Sequence, residues 1–364
     1  LGDMAGKLYY LAAIDGGNTN LQGKVEIAEG LLTGAFVNYA SGLTYNATNG
    51  QASHNLEEVD RYEKPKKEFT GNISGGDLSS DATYGILVVE KDGETVIDFS
   101  NVKTEDEDGN TVDAGVIALK PVVNESADDN SVIAATETSK PVIIEMGGKE
   151  LSIDTTESVE TVAVQGIVAE AAKVEIRDAG KVTIKANGDA SAIHASGADA
   201  VVKITTASGD KAVRLEATGA TDKAVLHADN GAKVEIDGKV KIVETNGNEA
   251  IKVGKGAEVV IGGGEIGSEN ADVAICIEDN GKIAINQNRL HKVVTNGDIV
   301  FVEAQPNAGA DSVVRKAIYA TKDSVHNGYI VNNTDTKKDF AVEFSKGAQW
   351  NGGAQGMNLD VLLS

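Results

Sequence analysis

Five histidines, His54, His194, His227, His291 and His326, are the side chains of this sequence best suited to acid–base work or to holding a metal, because imidazole titrates near neutral pH and ligates through either ring nitrogen. Two of them share a setting. His194 and His227 each stand third in a four-residue unit, Ala192-Ile193-His194-Ala195 and Val225-Leu226-His227-Ala228. If those units are neighbouring strands of one sheet, the imidazoles lie roughly 5 Å apart. A ladder of polar surface side chains is the plainer account of the pair. The run Glu105-Asp106-Glu107-Asp108-Gly109-Asn110 offers carboxylate oxygens to Ca²⁺, but it lacks the ligand spacing of an EF-hand and reads as a solvated loop. Lys64-Pro65-Lys66-Lys67 is a basic cluster in an acidic chain and reads as a linker or loop. No serine or cysteine is placed to join a histidine in nucleophilic catalysis. No catalytic, cofactor-binding or metal-ligating residue is therefore assigned, no cofactor is expected, and the chain is not expected to be an enzyme.

The elements that must position these residues follow from composition. Aromatic residues make up 4% of the 364, against 41 glycines, and none occurs between Asn101 and Val300. A wide globular core is hard to fill that way, whereas a narrow core of Val, Ile and Ala suits a solenoid. The four-residue unit, a small residue, then Ile or Leu, then any residue, then a small aliphatic, recurs as Gly166-Ile167-Val168-Ala169, Ala250-Ile251-Lys252-Val253, Ala274-Ile275-Cys276-Ile277 and Ala317-Ile318-Tyr319-Ala320 besides the two histidine units. Weaker copies stand upstream at Gly85-Ile86-Leu87-Val88 and Gly115-Val116-Ile117-Ala118. Most are followed by a Gly or Asn turn and further alternating runs, such as Lys233-Val234-Glu235-Ile236 and Lys239-Val240-Lys241-Ile242. Three short strands per repeat of about 25 residues describe an all-β right-handed parallel β-helix.

Period-two alternation points Ile193, Leu226, Ile251, Ile275 and Ile318 inward and the column His194, His227, Lys252, Cys276 and Tyr319 outward. On that phase Cys276 should react with a thiol reagent in the native protein, and Lys252→Asp should be nearly neutral. Asp237-Gly238, Asn246-Gly247 and Asn280-Gly281 supply the corners. Seven aromatics in residues 1–80, Tyr9, Tyr10, Phe36, Tyr39, Tyr45, Tyr62 and Phe69, suit an irregular capping region.

Charge narrows the partners. With 33 basic and 56 acidic side chains the net charge is -23, a field that repels nucleic acid and anionic lipid. The 41% hydrophobic content argues against disorder. A single cysteine rules out an intramolecular disulfide framework. No apolar run approaches the roughly 20 residues that span a bilayer, so no direct membrane insertion is expected. The start at Leu1, with neither Met nor signal peptide, is expected to mark an excised fragment.

The four-residue units, the Gly/Asn corners and the ending Phe344-Ser345-Lys346-Gly347-Ala348-Gln349-Trp350-Asn351-Gly352 together resemble the passenger domain of bacterial autotransporters of the pertactin and AIDA adhesin type. The resemblance divides the chain into N-terminal capping coils at 1–80, a β-helix at 81–335 and the end of the passenger at 336–364. It implies export to the bacterial cell surface, anchored through an outer-membrane barrel beyond this sequence. It also implies a role in adhesion, autoaggregation or biofilm formation, with a protein or glycan of a host or bacterial surface, or a second copy, as partner. It carries over no catalytic residue: Gly75-Gly76-Asp77-Leu78-Ser79 and Ala207-Ser208-Gly209-Asp210 lack the order of the Gly-Asp-Ser-Gly nucleophile of protease passengers. The alternative is a β-helical polysaccharide-acting enzyme, a lyase or depolymerase. Polygalacturonase-type sites need Asn-Thr-Asp before Asp-Asp, yet here Asp128-Asp129 precedes Asn333-Thr334-Asp335.

Overall fold

In the computed structural model, side chains are described, with gaps, from Glu94 to Gly356, and strand backbone from Leu21 onward. Residues 1–20 and stretches that include 27–42, 55–68, 106–110, 122–129, 245–248 and 303–314 lie outside what is described. The side chains of His54 and of the seven proposed capping aromatics, the Lys64 cluster, Asp106 to Asn110, Asp128-Asp129 and the Asn246-Gly247 corner fall outside the description.

The described residues are all β. From Asn130 onward strands recur in threes, and each pairs in parallel with the strand three places on, which makes a right-handed solenoid with three strands per coil. One face, here the tetrad face, stacks Asn130–Ala135, Val164–Glu170, Ile193–Ser196, Leu226–Asp229, Ile251–Val253, Val273–Glu278, Asp298–Val302, Ile330–Asn332 and Ala354–Gly356. The second face runs from Val142–Glu145 through Lys173–Ala179 and Lys233–Ile236 to Leu359–Leu363. A third runs from Glu150–Asp154 through Lys181–Asn187 and Lys239–Glu244 to Gln349–Asn351. The ladder thus continues without a break in type past residue 335. Upstream, Leu21–Glu26 pairs antiparallel with Phe69–Ile73, and Leu87–Lys91 forms an antiparallel hairpin with Glu94–Asp98.

The sequence explains this repetition. Most of the described strands alternate β-branched or small aliphatic residues with polar ones, so one side of each is apolar and three such sides enclose a narrow interior. Val182 and Ile184, Val213 and Leu215, and Val240 and Ile242 stack inward on the third face, all at most 1% exposed. The small residue opening each unit is buried as well: at Gly166, within the strand Val164–Glu170, a Cβ would come within 2.5 Å of the Ala192 carbonyl oxygen and closer still to Ile184. Aromatics enter the described core only towards its ends. Phe99 is buried at one, and at the other Phe301 meets Phe340 edge-on at 5.6 Å while Trp350 stacks on Phe344 and donates to the Gly328 carbonyl at 3.0 Å.

Several register expectations are corrected. Ala317-Ile318-Tyr319-Ala320 does not continue the tetrad face. Ile318 pairs with Ile285 on the second face, and the partner of Ile275 is Ile299. Tyr319 therefore leaves the histidine column, whose next members are Val300 and Val331. Ile318 does point inward, at 4% exposure. Upstream, Ile117 pairs with Leu151 on the third face and Leu87 with Asp98 in the hairpin, while the missed tetrad copy is Val132-Ile133-Ala134-Ala135, with Ile133 opposite Ile167. The composition of four residues does not distinguish faces that all alternate in the same way; only the intervening length, which insertions such as 303–314 alter, settles it. Gly238 adopts φ +90 as a corner glycine should, whereas Gly281 is needed because a Cβ there would meet the Val253 carbonyl oxygen at 2.7 Å.

Candidate functional site

His194 and His227 come together on the outer side of the tetrad face. The parallel ladder pairs Ile193 with Leu226, His194 with His227 and Ala195 with Ala228, so flanking inward residues lock the register of the outward one. The rings stack with centroids 5.0 Å apart and planes 11° from parallel. Asp229 lies two residues beyond His227 on the same edge of the strand, and its Oδ2 is 3.7 Å from His227 Nε2. Its Oδ1 accepts from Asn230 Nδ2 at 3.0 Å, and the same amide nitrogen lies 3.2 Å from Ser196 Oγ, on the strand below. Asn230 itself sits in the left-handed region, φ 52, where asparagine is among the few tolerant residues. Strand, register and corner thus all bear on where the carboxylate points.

Burial holds His227 well below the ordinary imidazole range, reinforced by the neighbouring His194 and opposed by Asp229. Its side chain is 17% exposed, so the ring is a neutral, partly sheltered base at neutral pH. Among the described residues, His194, His227 and Asp229 form a group whose potential donor atoms all lie within 4.8 Å of one another. On the following coil Lys252 is in register with His227, but its ammonium is held by Glu278 at 2.8 Å.

The other histidines are dispersed. His291 lies at the turn into the third face, where its backbone N–H donates to Asn286 Oδ1 at 3.2 Å and its carbonyl accepts from Asn286 Nδ2 at 2.6 Å. His326 faces inward on the third face, between Thr295 and Trp350 in an interior column that is aliphatic at Ile242 and Ile266. It is 6% exposed, with neither ring nitrogen hydrogen-bonded, and burial pushes it down to about 4. The sequence signal for this existed: Ile266, Thr295 and His326 occupy equivalent places in three successive coils, but a short Val325-His326-Asn327 run hides its phase.

Cys276 corrects a second expectation. It does point outward, in register with Lys252, yet it is 5% exposed and burial pushes its thiol up to about 12. The phase is right and the inference from outward to reactive is not, because the Lys252–Glu278 pair passes from one coil to the next beside it. Asn333-Thr334-Asp335 follows the end of a strand: Asn332 Oδ1 accepts from the Thr334 backbone at 3.1 Å and its hydroxyl at 2.7 Å, a local turn. No family model, no curated protein and no solved structure matches this chain.

Proposed function

We propose that the chain is a non-enzymatic adhesive rod displayed on a bacterial cell surface in the manner of an autotransporter passenger, binding a surface protein, a glycan or a second copy of itself. The observation that supports this is the ordering of the outer side chains. On the second face Glu175, Lys203 and Glu235 stand one above another, with Lys203 3.6 Å from Glu235. On the third face Thr183, Arg214, Lys241 and Glu265 do the same, with Lys241 2.7 Å from Glu265. Asn296, Asn327 and Asn351 form an amide ladder, each step 2.8 Å. Such columns present repeated weak contacts along a length that grows by about 4.8 Å per coil, which suits distributed binding better than capture in one pocket.

Cells displaying the chain are expected to clump or to adhere when compared with cells that do not display it. Equal behaviour of the two populations would defeat the proposal. So would cleavage of a polysaccharide that is abolished by one carboxylate substitution, which would favour the lyase or depolymerase alternative.

A further inference from the structure

We propose that His194, His227 and Asp229 form a mononuclear site for a divalent transition-metal ion of the zinc and copper class, its residues brought together by the coil register on the outer tetrad face. The donor set carries the choice of metal. Two imidazoles and one carboxylate suit Zn²⁺, Cu²⁺, Ni²⁺ or Co²⁺, whereas Ca²⁺ and Mg²⁺ take oxygen ligands. Three protein ligands leave a coordination position for water or an external donor.

Closing on an ion requires the stacked rings to turn, because each imidazole lone pair lies in its ring plane. The donor atoms lie within 4.8 Å of one another, and a tetrahedral ion with bonds of about 2.0–2.2 Å draws its ligands to roughly 3.3 Å apart. Rotation of three side chains supplies that difference, while the backbone is held by the ladder on both sides of the histidines. Asn230 steadies the carboxylate through the oxygen that does not face His227, the arrangement expected of a residue orienting a ligand from behind. The nearest cation of the column, Lys252, is engaged with Glu278 and so is drawn away from the pair. The site does not depend on what the rod adheres to.

Calorimetric titration of the chelator-stripped full chain with Zn²⁺ tests this, and Cu²⁺ electron paramagnetic resonance reads the ligands directly. One ion per chain is expected, with nitrogen couplings in the Cu²⁺ spectrum. His194→Ala and His227→Ala should each weaken binding at least about tenfold, and Asp229→Asn by less. Lys252→Ala should leave it intact. Binding unchanged in both histidine variants, or a Cu²⁺ spectrum without nitrogen coupling, overturns the proposal. If an alanine variant does not fold, His194→Gln and His227→Gln take its place, and in the unmodified chain Zn²⁺ should shift the imidazole resonances of His194 and His227 but not of His326. A shift of neither also overturns it.

Discussion

At the scale of single residues, two side chains carry their surroundings into measurable titrations. His326 is enclosed without a hydrogen-bond partner for its ring, and the one charge that favours its protonation is Asp298. Well above pH 6.5 it is neutral whether the chain is folded or not and adds no pH dependence. Between 6.5 and about 4 the unfolded chain takes up a proton that the folded chain refuses, so stability falls as the pH falls through that window. The full loss is roughly 3 kcal/mol for a shift of this size. A His326→Leu variant, whose side chain continues the column of Ile242 and Ile266, should therefore lose less of its melting temperature between pH 7 and 4 than the parent. Equal losses would show that His326 is not the sensor. Cys276 gives the second reading. It is 5% exposed on a coil that the Lys252–Glu278 pair joins to its neighbour, and burial pushes its thiol up to about 12, so a thiol reagent at pH 8 should label it slowly in the folded chain and at once in guanidinium. Fast native labelling would show that the bridge does not shelter it.

At the scale of the strand, inward and outward positions should respond differently to the same substitution. Ile251 has no exposed surface and is stacked between Leu226 and Ile275. Ile251→Asp leaves a carboxylate without a partner between coils and should cost about 4 kcal/mol or more. The neutral outcome first expected for Lys252→Asp does not survive the structure. That change replaces an ion pair with one new carboxylate facing that of Glu278, and a cost of about 1 kcal/mol is expected. The two unfolding midpoints should therefore differ by several-fold in their shift, and similar shifts would contradict the assigned faces. Backbone proximity sets a stricter limit at the corners. A Cβ at Gly262 would fall 1.8 Å from the Gly238 carbonyl oxygen of the previous coil. Gly262→Ala should thus destabilise the fold markedly, by a rise in the unfolding rate or a fall in melting temperature, although the substitution adds one methyl group. A neutral result would mean that successive coils do not approach so closely.

At the scale of the whole molecule, the net charge of -23 sets how rods meet. Like-charged rods repel most at low ionic strength, so self-association should strengthen with moderate salt, while attachment to a basic partner should weaken over the same series. Measuring clumping and partner binding from low to high salt separates the two proposed adhesive modes, and a response of neither to salt would remove electrostatics from both. Divalent cations that bridge carboxylates should promote self-association at lower concentrations than monovalent salt does.

What the amino-acid order determined by itself is the kind of solenoid and the phase of its strands. Alternation is a property of neighbouring residues, so Ile193, Leu226, Ile251 and Ile275 could be assigned inward and His194 placed beside His227 from spacing and side-chain type alone. Which face a strand joins is not local. Ala317-Ile318-Tyr319-Ala320 satisfies the same pattern as Ala274-Ile275-Cys276-Ile277, and only the path of the chain through the corners put it opposite Ile285. Shelter is likewise a tertiary property. His326 and Cys276 are single polar letters in unremarkable runs, and it is the closing of three faces around the one and the bridging of two coils beside the other that make the first a buried base and the second a protected thiol. The approach of Asp229 to the two imidazoles required both kinds of information: alternation set it on their side of the strand, and the left-handed turn at Asn230 decided where its carboxylate faces.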